Sequence, residues 1–254
     1  MTTSIIEGRD TRAIRNQAIL GFVVLIGASG ALMMTITSSP TAKGASFLWL
    51  PAALQLMAGI WLGPWRGAIA GGLGAYLAGI LAYGGWGLVD IIMNPIAGGF
   101  ANALLPAILF SLLRIDPTFG VKATDESHIL KALGRLAVLL SLVVGMSFGL
   151  KPLGLGAWGY APPLLLLLVA PLFLKGLALK TRDFTQAFII CVFISLVSAA
   201  IGVAGQVVGG QAWEAAVIGT GLGWFLGDTV SALLGLYALA AFTGRAREAG
   251  LSRS

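Results

Sequence analysis

The feature that most constrains this chain is a succession of apolar runs, separated by short polar breaks. A helix that crosses a bilayer needs about 20 mostly apolar residues. Eight runs reach that length, at roughly 17–37, 45–63, 67–84, 88–113, 132–150, 159–179, 186–208 and 215–243. The breaks carry turn chemistry, as in Ser38-Ser39-Pro40, Gly63-Pro64-Trp65-Arg66, Tyr83-Gly84-Gly85-Trp86, Lys151-Pro152 and Gly209-Gly210-Gln211. Only the break from Arg114 to Lys131 is long. Charged residues make up 10% of the 254, too few for a water-facing surface, since soluble domains carry about 25%. Glycine, frequent in transmembrane helices, occurs 36 times. It has no collagen-like period, and a mean hydropathy of +0.93 excludes disorder. The expectation is an all-α polytopic transmembrane bundle of about eight spans, forming one integral membrane domain over residues 1–254.

Orientation follows from the basic residues. Cytoplasmic loops of membrane proteins are enriched in Lys and Arg. With the N-terminus inside, Lys43 and Lys151 fall outside, and the other fourteen of the sixteen basic residues fall on the inner side. Removing or adding one span would reverse every later loop and destroy this bias. Both termini are therefore expected in the cytoplasm of a cell with a plasma or inner membrane, and the net charge of +6 is assigned to topology rather than to nucleic acid. Arg9, Arg12 and Arg15 before the first run also suit a secretory signal. The apolar core of a signal is about 7–15 residues, however, so a retained helix is expected.

Lipid tails are as apolar as leucine, so spanning helices associate through small residues in close contact. The third run places Gly67, Gly71, Ala75 and Gly79 on one ridge, and Ala70, Gly74, Ala78 and Ala82 on a neighbouring one. The eighth has Gly219, Gly223 and Gly227, and the first a weaker pair, Gly27 and Ala31, available to a partner. Prolines stand inside runs at Pro95, Pro106, Pro162, Pro163 and Pro171, where each removes a backbone donor and can kink its helix.

Ionisable groups at membrane depth are costly and mark function by default. Asp228 is about 13 residues into the eighth run, hence about 20 Å deep. It is expected to serve either as a structural hydrogen-bonding anchor, to Asn102, Gln55 or hydroxyls, or as a ligand or proton site. Asp90 lies near the outer end of the fourth run. Asn94 and Asn102, eight apart on that run, are expected to project from nearly the same face. Trp49, Tyr83, Trp86, Trp158, Tyr160 and Trp213 crowd the outer side, with Trp61 and Trp65 on the inner side. An interfacial belt explains aromatics at both faces. The outer excess, close to Asp90, Asn94, Gln206 and Glu214, also suits a pocket for a flat organic ligand, with Trp49, Trp86, Asp90, Asn94 and Gln206 as its candidate residues.

Enzyme signatures fail. Gly145-Met146-Ser147-Phe148-Gly149 spells the serine-hydrolase elbow, but it falls on a helix rather than a strand-to-helix turn. The sole histidine, His128, is about 28 Å away along a helix, and a base must come within about 3 Å. One cysteine and one histidine exclude a His/Cys-rich metal site within one chain. The sequence has no phosphate-binding loop. The chain is expected to be neither an enzyme nor the holder of a cofactor or metal.

Two stretches resemble known families. Phe47-Leu48-Trp49-Leu50-Pro51, then Gly63-Pro64-Trp65-Arg66-Gly67 through Gly79-Ile80-Leu81, resembles the substrate-binding S components of energy-coupling-factor (ECF) vitamin transporters. Tyr83-Gly84-Gly85-Trp86 with Asn94-Pro95-Ile96-Ala97-Gly98-Gly99 is similar to the segment that follows there. The same region, with Trp224-Phe225-Leu226-Gly227-Asp228, resembles an eight-span bacterial membrane-associated sensor domain family. Members of that family begin with a Trp-x-Pro-Ala-type helix start, close with a Trp-x-x-Gly-Asp helix and are normally fused to kinase or cyclase domains. The first resemblance implies binding of a small organic nutrient from the outer face, with a transmembrane scaffold subunit and two ATPases releasing it inward. The second implies ligand sensing. An independent carrier is the third expectation.

Overall fold

The computed structural model describes residues 3–36, 48–83, 87, 89–121 and 181–252, with isolated positions between 131 and 154. The run at 159–179, and all but isolated positions of the run at 132–150, lie outside them, as do Trp86, Trp158 and Tyr160.

Among the described residues every element is helical. The first is α1 (Thr3–Ile36), followed by α2 (Leu50–Leu62) and α3 (Pro64–Tyr83). Next comes a mixed helix made of π1 (Val89–Met93), α4 (Asn94–Ile96), π2 (Ala97–Leu104) and α5 (Leu105–Leu112). After α6 (Thr181–Val208) a last mixed helix contains α7 (Trp213–Ala216), π3 (Val217–Gly221) and α8 (Leu222–Glu248). Among the described residues, four stretches are long and apolar enough to cross a membrane: Ala13–Met34, Ile91–Leu112, Arg182–Val208 and Trp213–Glu248.

Two expectations about length need correction. The helix of the second run covers only Leu50–Leu62, about 20 Å at 1.5 Å per residue, short of a hydrocarbon core of about 30 Å. Among the described elements, α2 packs against α1, α3, π2, α5 and α8. Nine of its thirteen residues are buried. Its second residue is Pro51, whose fixed φ suits a first turn. It ends at Gly63, whose φ of 87° only glycine adopts freely. The first helix, in contrast, begins well before its apolar run.

Burial is inverted relative to a soluble bundle. Ala70, Ala75 and Ala78 of α3 are fully buried, and Ile69, Leu73, Ile80 and Leu81 of the same helix are exposed. On α6, Ser195 and Ser198 are buried, and Ile189, Phe193 and Leu196 are exposed. Small and polar residues turned inward with large apolar residues turned outward is the arrangement a lipid solvent favours.

The two ridges of α3 serve two different neighbours. A Cβ on Gly71 would lie 2.6 Å from the Gly98 carbonyl of π2, and one on Gly67 would lie 2.4 Å from the Gly59 Cα of α2. On the other side, a Cβ on Gly74 would lie 2.6 Å from Ile26 of α1. Gly79 is buried, as are Gly219, Gly223 and Gly227. On α1, Gly27 and Gly30 receive Leu77 and Ala78 of α3. The glycine read as available to a partner is therefore used inside the bundle.

Arg15 Nε donates to the Gly250 carbonyl at 3.0 Å, so the start of the first apolar run and the end of α8 share one end of the bundle. The turn between α2 and α3 and the end of α5 reach the same end, where Trp61 Nε1 donates to Thr243 Oγ1 (3.0 Å) and Arg247 approaches Asp116 (3.4 Å). Trp61 is 8% exposed, edge-on to Phe22 at 6.2 Å. It is a core residue tied to α8, and its assignment to an interfacial belt is corrected. Edge-to-face contacts from Phe110 to Phe119, Phe119 to Phe184 and Phe184 to Tyr237 anchor the segment after α5 to α6 and α8.

Candidate functional site

The candidate site is a polar cluster in the apolar interior. Pro95 and Pro106 bracket π2, and each lacks the N–H that would close the preceding helical turn. Between them the backbone is wound with wider, i→i+5 turns, and the Leu105 N–H reaches the Phe100 carbonyl. Such π segments recur at functional sites. Here the segment carries Asn102, which is 2% exposed.

Asn102 uses both hydrogens of its amide. Nδ2 donates to Gln55 Oε1 of α2 at 3.1 Å and to Asp228 Oδ2 of α8 at 3.2 Å. Ser198 of α6 also hydrogen-bonds the Asp228 side chain. Four separate stretches of chain thus converge on one buried group. Gln55 is fully buried and Asp228 is 3% exposed. Of the partners considered for Asp228 in the sequence, Asn102 and a hydroxyl supply its hydrogen bonds, and Gln55 is joined through Asn102.

The cluster is incompletely paired. Among the described residues, Gln55 Nε2, Asn102 Oδ1 and Ser231 Oγ are buried without a partner. The Ser231 case has a local cause. A helical serine ordinarily bonds the carbonyl four residues earlier, which here is Gly227, and that carbonyl already accepts the Trp49 N–H at 3.3 Å. The other two leave one unspent amide donor and one unspent acceptor beside a carboxyl group. Each unsatisfied buried group costs about 1–3 kcal/mol, and an apolar core would avoid that cost. Chemically, the arrangement presents an amide donor and an amide acceptor that no side chain described uses.

The outer-face candidates are distributed differently. Asn94 is buried, and its Nδ2 donates to the Ala75 carbonyl of α3 at 3.2 Å. Its partner is on α3, whereas the partners of Asn102 are on α2 and α8. Trp49 is half-buried at the start of α2 beside Gly30 of α1. Gln206 is half-buried near the end of α6. No hydrogen bond joins Trp49, Asn94 and Gln206. Trp86 and the side chain of Asp90 lie outside the described residues. Gln55 entered the sequence reading only as one of the partners considered for Asp228, and Ser198 was not singled out. The signal for Gln55 was an isolated amide in the second run; a lone serine in an apolar helix gives no such signal. Among the described residues no group of three or more metal-ligating side chains occurs.

No family model, no curated protein and no solved structure matches this chain.

Proposed function

We propose that this chain is a membrane-embedded binding protein for a small, polar organic molecule, and that the Gln55–Asn102–Asp228 cluster supplies the selecting contact. The observation that carries this reading is the unspent donor Gln55 Nε2 and acceptor Asn102 Oδ1 in a fully buried position. In hydrocarbon such capacity is expensive unless something else fills it. The wider proposal keeps the topology read from the basic residues: eight spans, both termini cytoplasmic, in a plasma or inner membrane.

Two consequences of binding follow from the two resemblances. In the uptake reading the chain hands its ligand to a scaffold subunit driven by ATPases, as an ECF S component does. In the sensing reading binding changes helix packing. One contact favours the second. The stretches that resemble the sensor family, Trp49–Pro51 and Trp224–Asp228, are far apart in sequence, yet the Trp49 N–H donates to the Gly227 carbonyl. They adjoin the polar cluster through Asp228.

The test is native mass spectrometry of the gently extracted protein, compared with Gln55→Leu. This substitution removes the unspent donor without introducing charge, and with it the Oε1 acceptor of one Asn102 hydrogen, so the unfolding temperature of the variant is measured alongside. Ligand retention should fall about five- to tenfold, the worth of one hydrogen bond. Undiminished retention by a folded Gln55→Leu protein would place binding elsewhere. Scaffold and ATPase subunits extracted with the wild type would favour uptake over sensing.

A further inference from the structure

A second feature lies at the end of the bundle where Arg15 meets Gly250, away from the polar cluster. A cavity of about 950 Å³ opens there between the α2–α3 turn, the segment after α5 and the end of α8. Its lining contains three arginines, Arg66, Arg114 and Arg247, and one acid, Asp116. The acid is already committed. Its carboxylate accepts the Thr118 N–H at 3.1 Å and the Thr118 hydroxyl at 2.6 Å, and it pairs with Arg247 at 3.4 Å. Among the described residues neither Arg66 nor Arg114 has an ion pair. The walls are apolar and aromatic, with Trp61, Leu62 and Phe110, and α3 begins at the rim with the partial positive charge of its N-terminus.

The backbone of Arg114 is a separate pointer. Among the described residues, three helix ends carry the same paired hydrogen bonds, in which the left-handed residue bonds back three positions and its successor bonds back five. At α6 the left-handed residue is Gly210 (φ 94°), and at α8 it is Gly250 (φ 71°). At α5 it is Arg114 (φ 52°), with Arg114 N–H to Ser111 and Ile115 N–H to Phe110. Glycine takes this conformation without steric cost and an L side chain does not. At two caps of three the chain uses glycine, and at the one lining the cavity it holds an arginine there. Strain kept in place beside a pocket points to a role for the side chain.

We propose that this cavity binds the phosphate group of an anionic phosphate ester, with Arg66, Arg114 and Arg247 as its cationic contacts. Arginine's planar fork suits phosphate oxygens. The flank is exposed and apolar at Trp65 (74%), Leu112 (71%) and Leu113 (51%). That surface would lie along acyl chains and so favours a phospholipid headgroup over a soluble phosphate ester. The site is independent of the ligand proposed for the polar cluster.

The test is thermal unfolding of the delipidated protein in neutral detergent. Dioleoylphosphatidylglycerol, dioleoylphosphatidylcholine or inorganic phosphate is added, and the wild type is compared with Arg114→Gly and Arg66→Gln. Phosphatidylglycerol should raise Tm where phosphatidylcholine does not, and each variant should need about tenfold more lipid for the same shift. Arg114→Gly should itself unfold no lower than the wild type without lipid, because it relieves the left-handed arginine. A merely structural arginine would not combine retained stability with lost lipid response. If inorganic phosphate alone gives the shift, and the variants blunt it, the site stands and its source is a soluble phosphate ester. No anion-dependent shift, or one that both variants keep in full, overturns the proposal.

Discussion

Asp228 shows how one side chain is made tolerable in an apolar interior. Its carboxyl takes one hydrogen of the Asn102 amide and a bond from Ser198, while Gln55 takes the other amide hydrogen. The carboxyl therefore fixes the orientation of Asn102 and leaves Asn102 Oδ1 as the free acceptor. Asp228→Asn retains the shape and an acceptor for Asn102, so unfolding temperature and ligand retention should both stay close to the wild type. Asp228→Leu orphans Asn102 and Ser198 and should destabilise the bundle by about 1–2 kcal/mol, the range of hydrogen bonds in membranes. Both are read by thermal unfolding and ligand retention on one preparation. A stable Asp228→Asn protein that no longer holds ligand would mean that the charge itself is used.

At the scale of elements, the bundle is built on glycine contacts that differ sharply in tolerance. A Cβ on Gly59 of α2 would lie 2.1 Å from the Ala103 carbonyl oxygen of π2, a backbone atom that cannot rotate away. On Gly21 of α1 it would meet nothing within 4 Å. Gly59→Ala should therefore separate α2 from π2 and cost about 1–3 kcal/mol, as overpacking does. Gly21→Ala should be neutral or slightly stabilising, because alanine is the better helix former. Unfolding midpoints of the two variants check this, and equal midpoints would contradict the packing. The contrast was partly legible in the sequence. The four-residue spacing of Gly67, Gly71 and Ala75 marks a ridge, but spacing does not say which neighbour fills it. Two ridges on α3 facing π2 with α2, and α1, are a property of the assembled bundle.

For the molecule as a whole, the contacts at one end fix the parity of the chain. Arg15 bonds Gly250, and Arg247 pairs with Asp116 at the end of the fourth run. The two ends of the described chain therefore share one face of the bundle. In the topology proposed from the positive-inside bias, that face is the cytoplasmic one. A reporter active only outside the cell, fused after Arg253, should stay silent, and the same reporter inserted at Lys43 should be active. A strong signal from the C-terminal fusion would reverse the topology.

What the sequence determined by itself is what the bilayer dictates locally. Runs of about twenty apolar residues with few charges allow little but helices, because every backbone polar group must be satisfied within its own segment. The single deep acid stood out for the same reason, since a carboxyl in an apolar run is costly wherever the helix packs. The sequence could not show that Gln55, Asn102, Ser198 and Asp228 meet, or that Asn94 bonds α3 where Asn102 bonds α2 and α8. Helix rotation and register are set by side-chain fit between segments distant in the chain, and no local pattern encodes that fit. The tertiary structure alone decided that the short helix α2 packs against five other segments, that Trp61 is core rather than belt, and that an arginine stands at a helix cap where two others have glycine.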